Sequence, residues 1–173
     1  MRSVSIIIPI YNEEEAIKKN LQNILNSFSN INNLYEIIII ESGSEDRSKY
    51  LLNNFKSKNV KVVHESDRNG WGAAIKLGIK EAAHNRVSFF PIDNQYSADE
   101  LTKIINNTVG NVITYRINSQ NNIFRNFKSL IFKKITNKFL NIEFKDINSL
   151  KIIDKSNLID NEFANDWGID QDI

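Results

Sequence analysis

Phe89-Phe90-Pro91-Ile92-Asp93-Asn94-Gln95 is the stretch whose reading decides the fold. An apolar run ends abruptly in polar residues, and Ser97-Ala98-Asp99-Glu100 follows at once as the start of a helix. Open α/β sheets are built from strands that stop in this way before a new helix, and they bind ligands outside the carboxyl ends of those strands. Asp93 is therefore expected at a site, and what it faces is the question put to the rest of the chain.

Working outward, the same alternation recurs. Arg86-Val87-Ser88-Phe89-Phe90 reads as a strand, and Ser97 with Glu100 caps a helix carrying Leu101, Ile104 and Ile105. Upstream, Gly70-Trp71-Gly72-Ala73-Ala74 opens a helix with Ala74, Leu77, Gly78 and Ala82 on one face, where small residues permit close approach of the backbone. Val60–His64 and Glu36–Ile40 read as strands, the second ending in Glu41-Ser42-Gly43-Ser44-Glu45-Asp46 before a helix with Tyr50, Leu51 and Phe55. Val4-Ser5-Ile6-Ile7-Ile8 is a β-branched run suited to a strand buried on both faces, and Pro9 is expected to stop it. Asn12 is placed to cap the following helix with Glu15 as capping-box partner, and Ile17, Leu21, Ile24, Leu25 and Phe28 give that helix its apolar face. Downstream, residues 111–115 read as a fifth strand and Ser149–Ile153 as a further one. Strands alternating with helices predict an α/β three-layer sandwich around a mostly parallel sheet, in one domain spanning residues 1–173.

The 173 residues suffice for a sizeable core, with 41% apolar and 25% charged residues and a net charge of +1. No global field draws the chain to nucleic acid, and none is expected as a partner. Cysteine is absent, so disulfides and thiolate metal sites are excluded and a reducing, cytoplasmic setting is expected. The N-terminal apolar run is too short for a signal peptide, and no run reaches the roughly 18 residues of a membrane span. The one strongly basic segment is residues 122–141, where Phe127, Ile131, Ile135 and Phe139 form a stripe flanked by Arg125, Lys128, Lys133, Lys134 and Lys138. It reads either as a helix packed on the sheet with a solvated lysine face, or as an interfacial helix for a membrane surface, a membrane-protein partner or an acceptor phosphate.

In a parallel sheet three strand ends share one edge: Pro9-Ile10-Tyr11-Asn12-Glu13, Glu41-Ser42-Gly43-Ser44 and Pro91-Ile92-Asp93-Asn94-Gln95. Together they offer an aromatic face, several carboxylates and a Gly-containing turn. That set suits a nucleotide, with Tyr11 for the base and carboxylates for ribose hydroxyls or a divalent cation. Neither a Walker-type loop nor G-x-G-x-x-G is present. Set against these roles, Asp93 could serve as a loop or capping carboxylate, Tyr11 as a packed edge aromatic, and Gly72 and Gly78 as packing glycines.

The order of these pieces resembles the family 2 glycosyltransferases of GT-A fold. Ile6-Ile7-Ile8-Pro9-Ile10-Tyr11-Asn12-Glu13-Glu14 is similar to the family's opening strand and nucleotide-binding turn, Gly70-x-Gly72-Ala73-Ala74 to its Gly-x-Gly-Ala-Ala segment, and Ile92-Asp93-Asn94-Gln95 stands at its Asp-x-Asp metal motif. The later chain resembles the branch of dolichol-phosphate mannosyltransferase and other polyprenyl-phosphate glycosyltransferases, through Gln95, Arg116, Arg125 and Lys145-Asp146-Ile147-Asn148-Ser149. The resemblance implies an inverting transferase that moves a sugar from a nucleotide-diphosphate sugar to an acceptor such as a polyprenyl phosphate or a cell-envelope glycan, on the cytoplasmic face of the membrane. It implies donor contacts at Pro9, Tyr11, Glu13, Glu41, Ser42 and Gln95, Mg²⁺ or Mn²⁺ on Asp93, and catalytic roles for Asp93, Arg116 and Arg125. The departures are Pro91 for the first Asp of the metal motif, Glu41 and Ser42 for a paired Asp, and Arg68 where an Asn is common. They leave open a second reading, a catalytically impaired nucleotide-sugar-binding relative or partner subunit.

Overall fold

The computed structural model describes residues 3–93, 95–114 and 150–156. Strands and helices alternate as β1 (Val4–Ile10), α1 (Glu14–Phe28), β2 (Tyr35–Ser42), α2 (Ser48–Asn53), β3 (Val60–Glu65), α3 (Trp71–Glu81), β4 (Arg86–Phe89) and α4 (Ala98–Asn107), followed by β5 (Val112–Ile113) and β6 (Lys151–Asp154). The sheet order is β3-β2-β1-β4-β6-β5. β1 pairs in parallel with β2 and β4, β2 in parallel with β3, and β6 lies antiparallel to β4. By internal contacts the chain divides into Met1–Val112 with Lys151–Ile173, and Ile113–Leu150. The first of these units holds β1 to β4, β6 and the helices α1 to α4.

The central strands are isoleucine-rich because both of their faces are covered. Ile7, Ile38, Ile40 and Val87 pack with Ala74, Ile75 and Ala82 on the α3 side. Their neighbours Ile6, Ile8, Ile37 and Ile39 alternate to the other face and are equally buried. On that face Phe28 of α1 meets Phe90 edge to face, with centroids 5.3 Å apart at 81°. α4 lies beside α1, and Thr102 donates to the Ser27 carbonyl at 3.1 Å. Gly78 shows why α3 is rich in small residues: a Cβ there would run into the Ile7 side chain.

Several local expectations are corrected. β1 does not stop at Pro9 but runs on to Ile10, with Pro9 opposite Ile40. Ile7 accepts from the Phe90 N–H, so residues of its parity bond toward β4. β4 has ended by the level of Pro9, so the missing N–H costs no ladder bond. α2 is short and buries Ser48 and Leu52, whereas Tyr50 is exposed and Phe55 lies beyond its end. The last strand begins at Lys151, after Leu150, and runs on to Asp154, with Asp154 opposite Arg86 and Ile152 opposite Ser88, while Ser149 lies outside the described residues. Of the fifth strand, Val112 and Ile113 are confirmed. The helix capped by Ser97 is found as expected, with the Ser97 side chain accepting from the Glu100 N–H.

Gly78→Ala should destabilise the domain by about 1–3 kcal/mol, the usual cost of overpacking a filled core. Denaturant melts would show this as a lower midpoint with an unchanged slope, and an unchanged midpoint would mean that α3 can shift off Ile7.

Candidate functional site

The parallel strands β1, β2, β3 and β4 all end at one edge of the sheet. Strand order runs outward from β1 through β2 to β3, then resumes on the other side of β1 with β4. The reversal falls between the ends of β1 and β4, the position where open α/β sheets bind ligands in a crevice. Glu13 follows β1 and Asp93 follows β4, so the reversal is flanked by two carboxylates. Burial first, then repulsion from Asp93 and Asp46, push the Glu13 carboxyl above its ordinary value. Asp93 is exposed. Its Oδ1 accepts from the Gln95 N–H at 3.1 Å and its Oδ2 from Gln95 Nε2 at 2.6 Å, so Gln95 braces the carboxylate from its own loop.

The β1 and β2 ends are laced together. The expected capping box at Asn12 and Glu15 is absent, and no local side chain caps α1. The amides at and just before its start are instead bonded by the β2–α2 loop and the first residue of α2. Asn12 N–H donates to Ser44 Oγ (3.1 Å), Glu13 N–H to Ser48 Oγ (2.9 Å) and Glu14 N–H to Asp46 Oδ2 (3.0 Å). In return Asn12 Oδ1 accepts from the Glu45 N–H at 2.9 Å and Glu14 Oε2 from the Arg47 N–H at 3.3 Å. Asn12 can face that loop because it adopts φ 54°, a left-handed conformation that asparagine tolerates.

Glu41 shapes this loop. It is fully buried, its Oε1 accepts from the Ser44 N–H at 2.6 Å, and its Oε2 lies 2.9 Å from His64 Nδ1. Burial pushes this carboxyl up, but the hydrogen bonds from His64 and Ser44 outweigh it and hold the group below its ordinary value. An ionised carboxylate offers only acceptors, so the His64 proton sits on Nδ1. Ser42 is buried and donates to Glu65 Oε2 at 2.7 Å. Glu41 and Ser42, both expected as donor contacts, are here engaged in bracing the β2–β3 edge. Gly43, at φ 65°, lets the Asp67-Arg68 backbone rest directly against it, where a Cβ would lie 2.8 Å from the Asp67 carbonyl carbon. The guanidinium of Arg68 in turn lies over the Tyr11 ring, 4.4 Å from its centroid.

The structure therefore brings Pro9, Tyr11, Glu13, Glu41, Ser42, Asp93 and Gln95 to one edge. Arg116, Arg125 and the basic segment 122–141 lie outside the described residues. Sequence reasoning misses Ser48 and Asp46, whose capping partners lie more than thirty positions away, and His64, which by sequence reads only as a strand-end residue. It also misses the place of Arg68 over Tyr11. Among the described residues no group of three or more His, Cys, Asp or Glu side chains is placed to hold a metal. Asp93 fits a divalent cation as a single carboxylate ligand, and the repulsion felt at Glu13 is of the sign that a cation would relieve. Among the described residues no helix is long and apolar enough to cross a membrane.

A mostly parallel sheet with helices on both faces and carboxylates at its switch point makes the chain an α/β domain of the ligand-binding, open-sheet class. Residues 5–164 match the family described as "Glycosyl transferase family 2", and the chain belongs to that family. It is 30% identical over 135 residues to the undecaprenyl-phosphate 4-deoxy-4-formamido-L-arabinose transferase of Pectobacterium carotovorum, covering 75% of this chain and 41% of that protein. It is 32% identical over 103 residues to the dolichol-phosphate mannosyltransferase of Pyrococcus furiosus, covering 59% and 29%. The chain spans less than half the length of these relatives. Among solved structures it is similar to glucosyl-3-phosphoglycerate synthase from Mycobacterium tuberculosis in complex with Mn²⁺, UDP and glucosyl-3-phosphoglycerate, with TM-score 0.64 and 17% identity, covering 91% of this chain and 58% of that one. The mannosyltransferase PcManGT from Pyrobaculum calidifontis in complex with GDP-Man and Mn²⁺ gives TM-score 0.54 and 19% identity, covering 90% and 45%.

Two measurements check this geometry. Ser48→Ala should cost about 0.5–2 kcal/mol, as loss of a helix cap does. A Tm unchanged from wild type would show that α1 does not depend on the neighbouring loop. The two carboxyls should also leave opposite marks on the pH dependence of stability. Glu41 titrates below the unfolded value of 4.5, so its contribution is present above that pH and lost as pH falls through the folded pKa. Glu13 titrates above 4.5, so its contribution is present below that pH and lost as pH rises through the folded value. Glu41→Gln should flatten the acid limb of a stability–pH curve, whereas Glu13→Gln should raise stability near neutrality.

Proposed function

We propose that this domain binds a nucleotide-diphosphate sugar at the β1/β4 crevice and transfers its sugar, with inversion, to a polyprenyl phosphate. The observation that carries the reading is the pairing of Glu13 and Asp93 across the switch point, in a chain of glycosyl transferase family 2. Two relatives whose printed names specify undecaprenyl phosphate and dolichol phosphate support the acceptor class. The solved neighbours with UDP or GDP-Man and Mn²⁺ support the donor and cation classes.

Each residue has a chemical part. Tyr11 offers a ring, already stacked with the Arg68 guanidinium, against which a base can lie. Arg68 brings positive charge to an edge otherwise dominated by Glu13, Glu41, Asp46 and Asp93, where an anionic diphosphate must be received. Asp93, braced by Gln95, would hold the divalent cation, which supplies neutralisation of the leaving diphosphate. An acceptor phosphate oxygen is anionic and needs no general base. It attacks the anomeric carbon, the carbon–oxygen bond to the diphosphate breaks, and the electron pair leaves with the nucleoside diphosphate. Arg116 and Arg125 are proposed to position the acceptor phosphate. The segment 122–141 is proposed to meet the membrane surface.

Pro91, in place of a second carboxylate, favours one alternative, a relative that binds nucleotide sugar without using a cation. Calorimetry with UDP-, GDP- and CDP-linked sugars, each with Mn²⁺ and with chelator, separates the two. The transferase reading predicts that one donor binds about tenfold more tightly with Mn²⁺, or about 1.4 kcal/mol, and that Asp93→Ala removes this gain. Binding that is equal with and without metal favours the alternative, and no binding of any donor contradicts both.

A further inference from the structure

Asn20 lies in α1, two helical turns beyond Glu13, and its side-chain Nδ2 donates to the Ile92 carbonyl at 2.9 Å. That carbonyl belongs to the peptide unit whose nitrogen is Asp93's own. The orientation of this unit sets where Asp93 leaves the sheet edge. Among the described residues little else in the backbone fixes it, the last backbone bond from this strand end to its neighbour being Phe90 N–H to the Ile7 carbonyl. Pro91 has no N–H to give. Ile92 is 3% exposed and anchors the loop through its side chain, which leaves its carbonyl to be held by α1. Beyond it, among the described residues, Asp93 is braced from its own loop by Gln95.

We propose that Asn20 is a positioning residue for Asp93, acting through the Ile92–Asp93 peptide. Its amide fixes that plane relative to α1, the helix that also carries Glu13 at its start. The spacing of the two carboxylates across the crevice is thus set by one rigid element touching both strand ends. In this chain the link matters more because a single carboxylate stands at the metal position, so a misplaced Asp93 has no partner to share the cation. The inference rests on the metal role of Asp93 proposed above and adds the residue that fixes it.

The test uses Asn20→Leu and Asn20→Asp, which keep the size of the side chain and lose its donor, with Asn20→Ala as a helix-favouring third variant should either fold poorly. The first readout is the ratio of donor affinities with Mn²⁺ and with chelator. Wild type should show a ratio of about ten, and the variants a ratio below about two with chelator affinity unchanged. The second readout is an NMR titration of Glu13, whose carboxyl is held up first by burial and then by Asp93. In Asn20→Leu it should move back toward 4.5 while the Glu14 amide keeps its exchange protection, a combination that a purely structural weakening of α1 would not produce. Folded variants that keep both the metal ratio and the Glu13 titration of wild type would overturn the positioning role alone. A wild type that binds donor with no metal gain would overturn the metal role of Asp93, and this inference with it.

Discussion

Burying a carboxylate costs several kcal/mol unless each oxygen finds a donor, and Glu41 meets that condition with one oxygen on the Ser44 amide and the other on His64. The edge of the sheet depends on this arrangement. Glu41 turns the chain so that Ser44, Asp46 and Ser48 face the start of α1. Those side chains cap amides that α1 has no local means to satisfy. α1, so fixed, presents Glu13 at its first turn and reaches Ile92 with Asn20 two turns on. A glutamate buried at the end of β2 is thereby linked, through hydrogen bonds alone, to the loop that carries Asp93 at the end of β4.

Much of the fold is legible in the sequence because it follows from hydrophobic pattern. Continuous isoleucine runs mark buried parallel strands, and Ile17, Leu21, Ile24, Leu25 and Phe28 form the buried face of α1 that their spacing predicts. Gly78 proves to be a packing glycine against Ile7. Pattern fails where tertiary contacts replace local ones. Asn12 has the residue type of an N-cap and Glu15 the right spacing, yet the cap comes from a loop more than thirty residues away. Pro9 signals a strand end, but a proline whose N–H would face beyond a neighbouring strand breaks nothing. In α2, with only Ser48–Asn53 helical, fewer than two turns cannot establish a period, and the buried apolar residue is Leu52 rather than Leu51 or Tyr50.

The candidate site divides in the same way. Residue type and position after a strand are enough to bring Tyr11, Glu13, Glu41, Ser42, Asp93 and Gln95 to one edge. They are not enough to separate residues that face outward, such as Asp93, from those turned inward, such as Glu41. That distinction is electrostatic. Glu41 is stabilised as an anion by its donors, whereas Glu13 is destabilised as one by burial and then by its carboxylate neighbours. The first is a settled structural charge. The second is a carboxylate whose ionised form is disfavoured where it stands.

If this network holds the strand-end loops ready before any ligand arrives, amide hydrogen exchange on the ligand-free protein will show it directly. The amides of Asn12, Glu13, Glu14 and Ser44 are held by side chains of the neighbouring loop or by Glu41, and should be protected nearly as well as the adjoining ends of β1 and β2. In Glu41→Gln the protection should fall at all of these positions together while the centres of the strands keep theirs. Exchange of these amides at the rates of free loops in the wild-type protein, or loss confined to Ser44 in the variant, would contradict the account.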